Sequence, residues 1–325
     1  MRLPAFTRRA LLAALAAVPA LALADTPANW PDKPVRLIVP FTAGGPTDTV
    51  ARLLASQLET IWKQTVIVDY KPGAGTVLGT TAVVRSPADG YTLGMAISAL
   101  TINPSVQPSL PYDTKKDVLG VSQIAQAHFG LFAHPSAPFN TVPELIAYAK
   151  KNPDALSFAT PGAGTGTHLA GEMLAHLAGI RMVHVPYKGS APAQQDVIGG
   201  RVPLLFDILY SSMPYVKDKR LKVIALSSPK RAVSNPEIPL IADTLPGFSA
   251  MSSIGIIAPA GLPQPLAQKI AADVGTAVRS PAMGERMAAL GLEPVGSTPE
   301  QYNAQIRQEI DKWAAIVKTA NIKIE

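Results

Sequence analysis

The sequence predicts an α/β protein of two lobes, each a mostly parallel sheet flanked by helices, and three observations carry that prediction. Short apolar runs alternate with helical stripes through most of the chain, the pattern of strands covered by crossover helices. The chain has 325 residues, more than one compact core usually organises. Two apolar runs, 129–133 and 254–258, each end near a proline (Pro135, Pro259) and lead into a helix, Val142–Lys151 and 265–278. They read as two strands that pass between lobes. Lobe one then holds 25–126 and 254–325, and lobe two holds 127–253. A chain that crosses twice makes a two-strand hinge, the device of hinge-closing binding proteins.

The elements follow in order. Residues 35–41 form an apolar strand. Gly44-Gly45-Pro46 then makes a turn with proline at a first helical position. Residues 47–62 place Val50, Leu53, Leu54, Leu58 and Ile61 on one helical stripe. A strand over 66–68, a loop over 71–75, a helix over 79–85 and a strand over 92–97 complete the first part. In the second, strands are expected over 156–160, 182–185, 202–206 and 223–226. The helix over 168–178 stops at Gly179, and that over 192–198 stops at Gly199. The last helix, Pro299–Thr319, aligns Tyr302, Ile306, Ile310, Trp313 and Val317.

The first residues carry Arg2, Arg8 and Arg9 and no acid. An apolar run over 10–23 ends in Ala22-Leu23-Ala24, a small-x-small cleavage signal before Asp25. This predicts a signal peptide removed after Ala24 and a periplasmic protein. The run is short of the roughly 20 residues that span a bilayer. Arg8-Arg9 also fits twin-arginine export, which leaves the route open. The chain has no cysteine. Disulfides, thiolate metal sites and thiol nucleophiles are therefore excluded, and so is a cysteine-acylated anchor. Three of the six net positive charges sit in the leader. With no basic block interleaved with aromatics, nucleic acid is not an expected partner.

Two strand–glycine loop–helix units stand out. One is Pro40-Phe41-Thr42-Ala43-Gly44-Gly45-Pro46-Thr47-Asp48, and the other is Ala159-Thr160-Pro161-Gly162-Ala163-Gly164-Thr165-Gly166-Thr167-His168. A strand end that turns through small residues into a helix presents backbone N–H groups and the positive end of a helix dipole. One such loop falls in each lobe, so the two can face each other across a cleft. Neither contains Lys or Arg. The donors are amides and the hydroxyls of Thr42, Thr47, Thr160, Thr165 and Thr167, a set suited to a small carboxylate, directly or through water.

The rival chemistries lack their spacing. Neither loop is G-x-G-x-x-G, and no G-x-x-x-x-G-K-[ST] or G-x-S-x-G occurs. The alternative is an exported metal-dependent hydrolase built on His168, Glu172 and His176, four apart on one helix. It lacks H-E-x-x-H and a third ligand nearby. No catalytic residue, metal or cofactor is expected.

Several phrases together resemble the Bug family of periplasmic receptors, related to the binding component of tripartite tricarboxylate transporters. They are Trp30-Pro31-Asp32-Lys33-Pro34, Pro40 through Asp48 with Arg52, Pro72-Gly73-Ala74-Gly75, Asp89-Gly90-Tyr91-Thr92-Leu93 and Pro111-Tyr112-Asp113. The second lobe adds Gly162, Gly164, His168-Leu169-Ala170-Gly171-Glu172, His184 through Gly189, and Asp207. Ala258-Pro259-Ala260-Gly261 and Gly291 follow. The resemblance implies a two-lobed flytrap of type II-like architecture whose glycine loops grip a carboxylate. By position, the ligand set is Phe41, Thr42, Ala43, Gly44, Gly45 and Asp48 in the first loop. In the second lobe it is Thr160, Gly162, Gly164, Thr165, Gly166, Thr167 and His168, with Asp207 as an acid that can face the cleft. Tyr187 and Lys188 match a motif of open role. The implied partners are a small organic acid (di- or tricarboxylate, aromatic acid or amino acid) and either membrane transporter subunits or a sensor kinase, with the receptor a monomer. The chain departs from the family pattern at Tyr70 (usually Asn), Thr76 (usually Gly) and Ile254 (usually aromatic).

Overall fold

Ten strands form one continuous ladder in the computed structural model, which describes residues 29–107 and 109–319. The leader predicted over 1–24 lies outside the described residues. The strands are β1 (Val35–Val39), β2 (Val66–Tyr70), β3 (Thr92–Ala96), β4 (Val118–Ala133), β5 (Ser157–Thr160), β6 (Val183–Pro186), β7 (Leu204–Ile208), β8 (Lys222–Leu226), β9 (Met251–Pro259) and β10 (Leu292–Pro294). Their order is β2-β1-β3-β9-β4-β7-β5-β6, with β8 and β10 also paired to β4.

The ladder has two halves that meet on β4. Its residues 118–128 pair with β9, whereas 129–133 pair with β7 and β8. Pairing is parallel among β1, β2 and β3 and again among β5, β6 and β7. The strands β4 and β9 run antiparallel to their neighbours. Each half is thus a mixed sheet, parallel where crossover helices connect it and antiparallel where the chain passes between halves.

Helices cover the sheet: α1 (Pro46–Trp62), α2 (Val77–Val84), α3 (Ala99–Val106), α4 (Thr114–Asp117), α5 (Val142–Lys151), α6 (Gly166–Ala178), α7 (Ser190–Ile198), α8 (Leu209–Lys217), α9 (Gln264–Val278), α10 (Pro281–Ala289) and α11 (Pro299–Thr319). The period-2 rule sorts side chains between two cores in the second half. Phe129, Leu131, Ala133, Leu204 and Phe206 face α5 and α6, while Phe132 and Leu205 face α7 and α8. In the first half Ile38, Ala96, Val118 and Ile257 pack with Tyr302, Ile306 and Ile310. The next turn of α11 leaves that cluster, and Trp313 joins the second-half core beside Ile102 and Phe129. The last helix therefore braces both halves.

Two close approaches require glycine. A Cβ at Gly171 would fall 2.2 Å from the Phe158 ring, and one at Gly166 would fall 2.6 Å from the Phe129 ring. Both let α6 lie directly on the sheet.

Only 129–133 of β4 was expected as strand. Gly120, Ser122, Gln123, Gln126 and His128 break the apolar run, yet all lie in the ladder. Their polar atoms find partners in the fold: Ser122 Oγ donates to Ser297 O at 2.8 Å, and Gln123 Nε2 donates to Ser253 Oγ at 3.1 Å. No helix was expected at α3, α4, α8 or α10 either; α3 and α8 each contain an internal proline (Pro104, Pro214).

Candidate functional site

A parallel strand followed by a crossover helix puts the helix N-terminus at the strand's carboxyl end. Here six such ends come together: β1, β2 and β3 from the first half, β5, β6 and β7 from the second. A cavity of about 560 Å³ lies among them. The first half contributes Phe41, Thr42 and Gly45–Thr47 after β1, Gly73–Thr76 after β2, and Ile97 and Ser98 after β3. The second contributes Gly162 and Thr165–Thr167 after β5, Tyr187–Ser190 after β6, and Ile208 at the end of β7. Phe129 of β4 and Ser252 of β9 close the floor where the chain crosses. Among these residues Lys188 is the one charged side chain, and no carboxylate lines the wall. Six helix N-termini and one ammonium make an electropositive pocket.

The first loop is braced from outside. Gly44 turns it at φ 87, and its amide donates to Asp48 Oδ2 at 2.7 Å. Asp48 Oδ1 accepts from Arg52 Nε at 3.0 Å and from the Tyr70 hydroxyl at 2.7 Å, and Arg52 also reaches that hydroxyl. Burial alone would raise the Asp48 pKa. The Gly44 amide, Tyr70 and Arg52 outweigh it and hold the carboxyl below its ordinary range. Asp48 therefore serves the loop backbone and does not line the cavity, and neither do Ala43 and Gly44. The hydroxyls of Thr42 and Thr47 reach the wall without a protein partner among the described residues. Thr47 is only 6% exposed.

The second loop is braced from within. Thr165 caps α6: its hydroxyl accepts from His168 N and donates to Gly162 O at 2.7 Å. Thr167 Oγ1 lies 2.8 Å from Thr165 Oγ1 and must be the donor there, because the Thr165 proton is on Gly162 O. Thr160, fully buried, pairs with His184 Nε2 at 2.7 Å. His168 Nδ1 accepts from Gly164 N at 3.2 Å, so its Nε2 carries the proton and faces Glu172 Oε1 at 3.6 Å. The His168 ring stacks on His184 with centroids 3.8 Å apart. Burial, then the neighbouring His168, pushes the His184 pKa down to about 3. Thr160, Gly164 and His168 sit behind the wall that Gly162, Thr165, Gly166 and Thr167 form.

Asp207 is also behind the wall. It is fully buried at the end of β7 and accepts from Ser190 Oγ, Gln194 Nε2, Ser211 Oγ and Ser212 Oγ at 2.7–2.9 Å. Burial pushes its pKa up against the pull of these donors. Asp207 thus holds the Ser190 hydroxyl that the cavity meets. The Tyr187 hydroxyl donates to Asp196 at 2.7 Å, and burial followed by that carboxylate pushes its pKa up to about 12.

The hydrolase alternative has no geometric support. His168 is buried in its stack, His176 is exposed two turns on, and no cluster suited to a metal occurs among the described residues.

The sequence places a loop over 71–75 after β2, but its residues were not counted among those that bind ligand. The loop closes as a tight turn, Thr76 N donating to Gly73 O at 3.1 Å. Its φ angles are 132, 46, 58 and 79 from Gly73 to Thr76. Left-handed backbone costs a side-chain-bearing residue about 1–2 kcal/mol, and a β-branched one is unusual there. Asn103 Nδ2 ties the turn down by donating to Gly75 O at 2.9 Å. The signal was present: strand, glycines, helix, the layout of the other two loops. Ser98, Phe129, Ser190, Ile208 and Ser252 gave no comparable signal, because only the assembled sheet brings them together.

Comparison with known proteins agrees with this geometry. The family model described as "Tripartite tricarboxylate transporter family receptor" matches residues 50–322. BugT of Bordetella pertussis is 33% identical over 96% of both chains. The solved structure of Rpa4515 from R. palustris with adipate superposes with a TM-score of 0.86, at 32% identity over 90% of this chain and 99% of that one. MatC from Rhodopseudomonas palustris with bound malate gives 0.82, at 28% identity over 89% of this chain and all of that one.

Proposed function

Because the chain belongs to the tripartite tricarboxylate transporter family of receptors, we propose that it is a periplasmic receptor that captures a small organic acid in this cavity. The observation that carries the reading is the wall itself: six helix N-termini converge on it, with one lysine and no carboxylate. Such a lining favours an anion and repels none of its charge. The relatives solved with adipate and malate support a carboxylate. Phe41, Thr42, Gly45 and Thr47 face the acid from one side, and Gly162, Thr165, Gly166 and Thr167 from the other. Gly44, Asp48, Thr160, Gly164, His168 and Asp207 hold those residues in place.

The lobes are 25–126 with 254–325 and 127–253. The change of partner on β4 between His128 and Phe129 supports a hinge at that boundary. The leader, cleaved after Ala24, delivers the protein to the periplasm. There it acts by capture, not catalysis, and as a monomer hands its ligand to membrane transporter subunits or reports it to a sensor kinase.

Thermal-shift screening tests the reading. At 100 times its Kd a ligand adds about 2.7 kcal/mol. Acids such as succinate, malate and adipate should raise Tm where their diamides do not. A rise only with neutral sugars or with metal ions would overturn the carboxylate assignment.

A further inference from the structure

We propose that Thr76 is a specificity-determining residue of this site, whose hydroxyl donates to an acceptor-only oxygen of the ligand such as a carboxylate. The claim rests on the receptor reading above and deepens it. Ser98 donates to Met251 O, Thr165 to Gly162 O, Ser190 to Asp207, Tyr187 to Asp196. Thr167 donates to Thr165. These protons are already engaged.

Three wall hydroxyls keep theirs: those of Thr47, Thr76 and Ser252, residues exposed by 6%, 4% and 2%. They arise from three different elements of the first half, the start of α1, the turn before α2, and β9. No protein acceptor among the described residues takes these protons, and all three residues line the cavity, so an acceptor on a ligand there can take them. A hydroxyl or ammonium on the ligand would not satisfy them as a carboxylate does.

Thr76 adds a second, independent observation. It holds a β-branched side chain at φ 79, where glycine would fit without strain. Strain of this kind persists where surrounding structure enforces it, and it clusters at ligand sites. Asn103 enforces it here. Its amide donates to Gly75 O at 2.9 Å and to Thr76 Oγ1 at 3.5 Å. With a lone pair turned to Asn103, the Thr76 proton is left for the cavity.

Three substitutions separate the hydroxyl from the backbone. Thr76→Val keeps the shape and loses the donor, Thr76→Ser keeps the donor, and Thr76→Gly relieves the φ. The readouts are calorimetric titration with succinate, malate and adipate, and the Tm of ligand-free protein. One hydrogen bond to a charged acceptor predicts about tenfold weaker binding in Thr76→Val and Thr76→Gly, and a change under about threefold in Thr76→Ser. Thr76→Gly should melt at or above the wild-type Tm, which shows that its lost affinity is not lost folding. If Val and Gly variants bind the acids as wild type does, Thr76 is ordinary wall and only this inference falls. If wild type binds none of the acids, the receptor reading falls with it.

Discussion

The two glycine loops share one layout, yet they offer the ligand different chemistry. Both carry a strand end through glycines into a helix. In the loop at residues 40–48 the support is ionic and stands outside: Asp48 takes the Gly44 amide and is itself held by Arg52 and Tyr70. Its threonines, Thr42 and Thr47, keep their protons for the cavity. In the loop at residues 160–168 the support is neutral and internal. Thr160, Thr165 and Thr167 engage one another, the loop backbone and His184, while His168 takes the Gly164 amide. That loop presents backbone amides alone. What a glycine loop can donate is thus decided by who satisfies the loop.

Breaking each support should reveal the contrast. The largest effect belongs to His168→Ala. It leaves the Gly164 amide without an acceptor and unstacks His184, at a cost of about 2–4 kcal/mol. At a few degrees per kcal/mol, differential scanning calorimetry should record a Tm drop of roughly 5–10 °C. An unchanged Tm would mean that the second loop is not held from within.

Asp48→Asn is smaller and depends on pH. Asn still accepts from Gly44 N, and the Arg52 side chain is 59% exposed, so the lost ion pair is screened. Urea unfolding at pH 7 should show a loss of about 1 kcal/mol. The folded pKa of Asp48 lies below its unfolded value, so its stabilisation is present above the unfolded pKa and disappears as pH falls through the folded one. The gap between wild type and variant should therefore close under acid. A gap that persists at low pH would contradict the ionic account of the first loop.

The smallest pair is Thr47→Val against Thr167→Val. The first should weaken acid binding about tenfold with little change in Tm. The second should lower Tm slightly and leave Kd within about threefold, because its proton serves Thr165. Equal effects on Kd would erase the distinction between the loops.

The sequence made the two loops and the α/β alternation legible because both rest on local pattern. Val50, Leu54 and Leu58 declare a helix, and Gly44-Gly45-Pro46 declares its start. Two things were not legible. The length of β4 was hidden, since Ser122, Gln123 and His128 look like a break until their partners on other elements are known. The availability of each hydroxyl was hidden too. Five threonines read alike as donors, and hydrogen bonds within the second loop and to His184 leave only Thr42 and Thr47 of them unengaged. Asp207 and His168 read as ligand contacts by position, whereas the fold places both one layer behind the wall.

The central claim is that neutral donors, amides and hydroxyls, hold the acid, with Lys188 in a secondary role. Calorimetric titration of the Lys188→Met variant with the acid that binds wild type best tests it most directly. The account predicts that binding survives with Kd raised by no more than about tenfold, one exposed charge being worth about 1 kcal/mol. Loss of measurable binding in a variant that melts like wild type would contradict it and make the ammonium the anchor of the site.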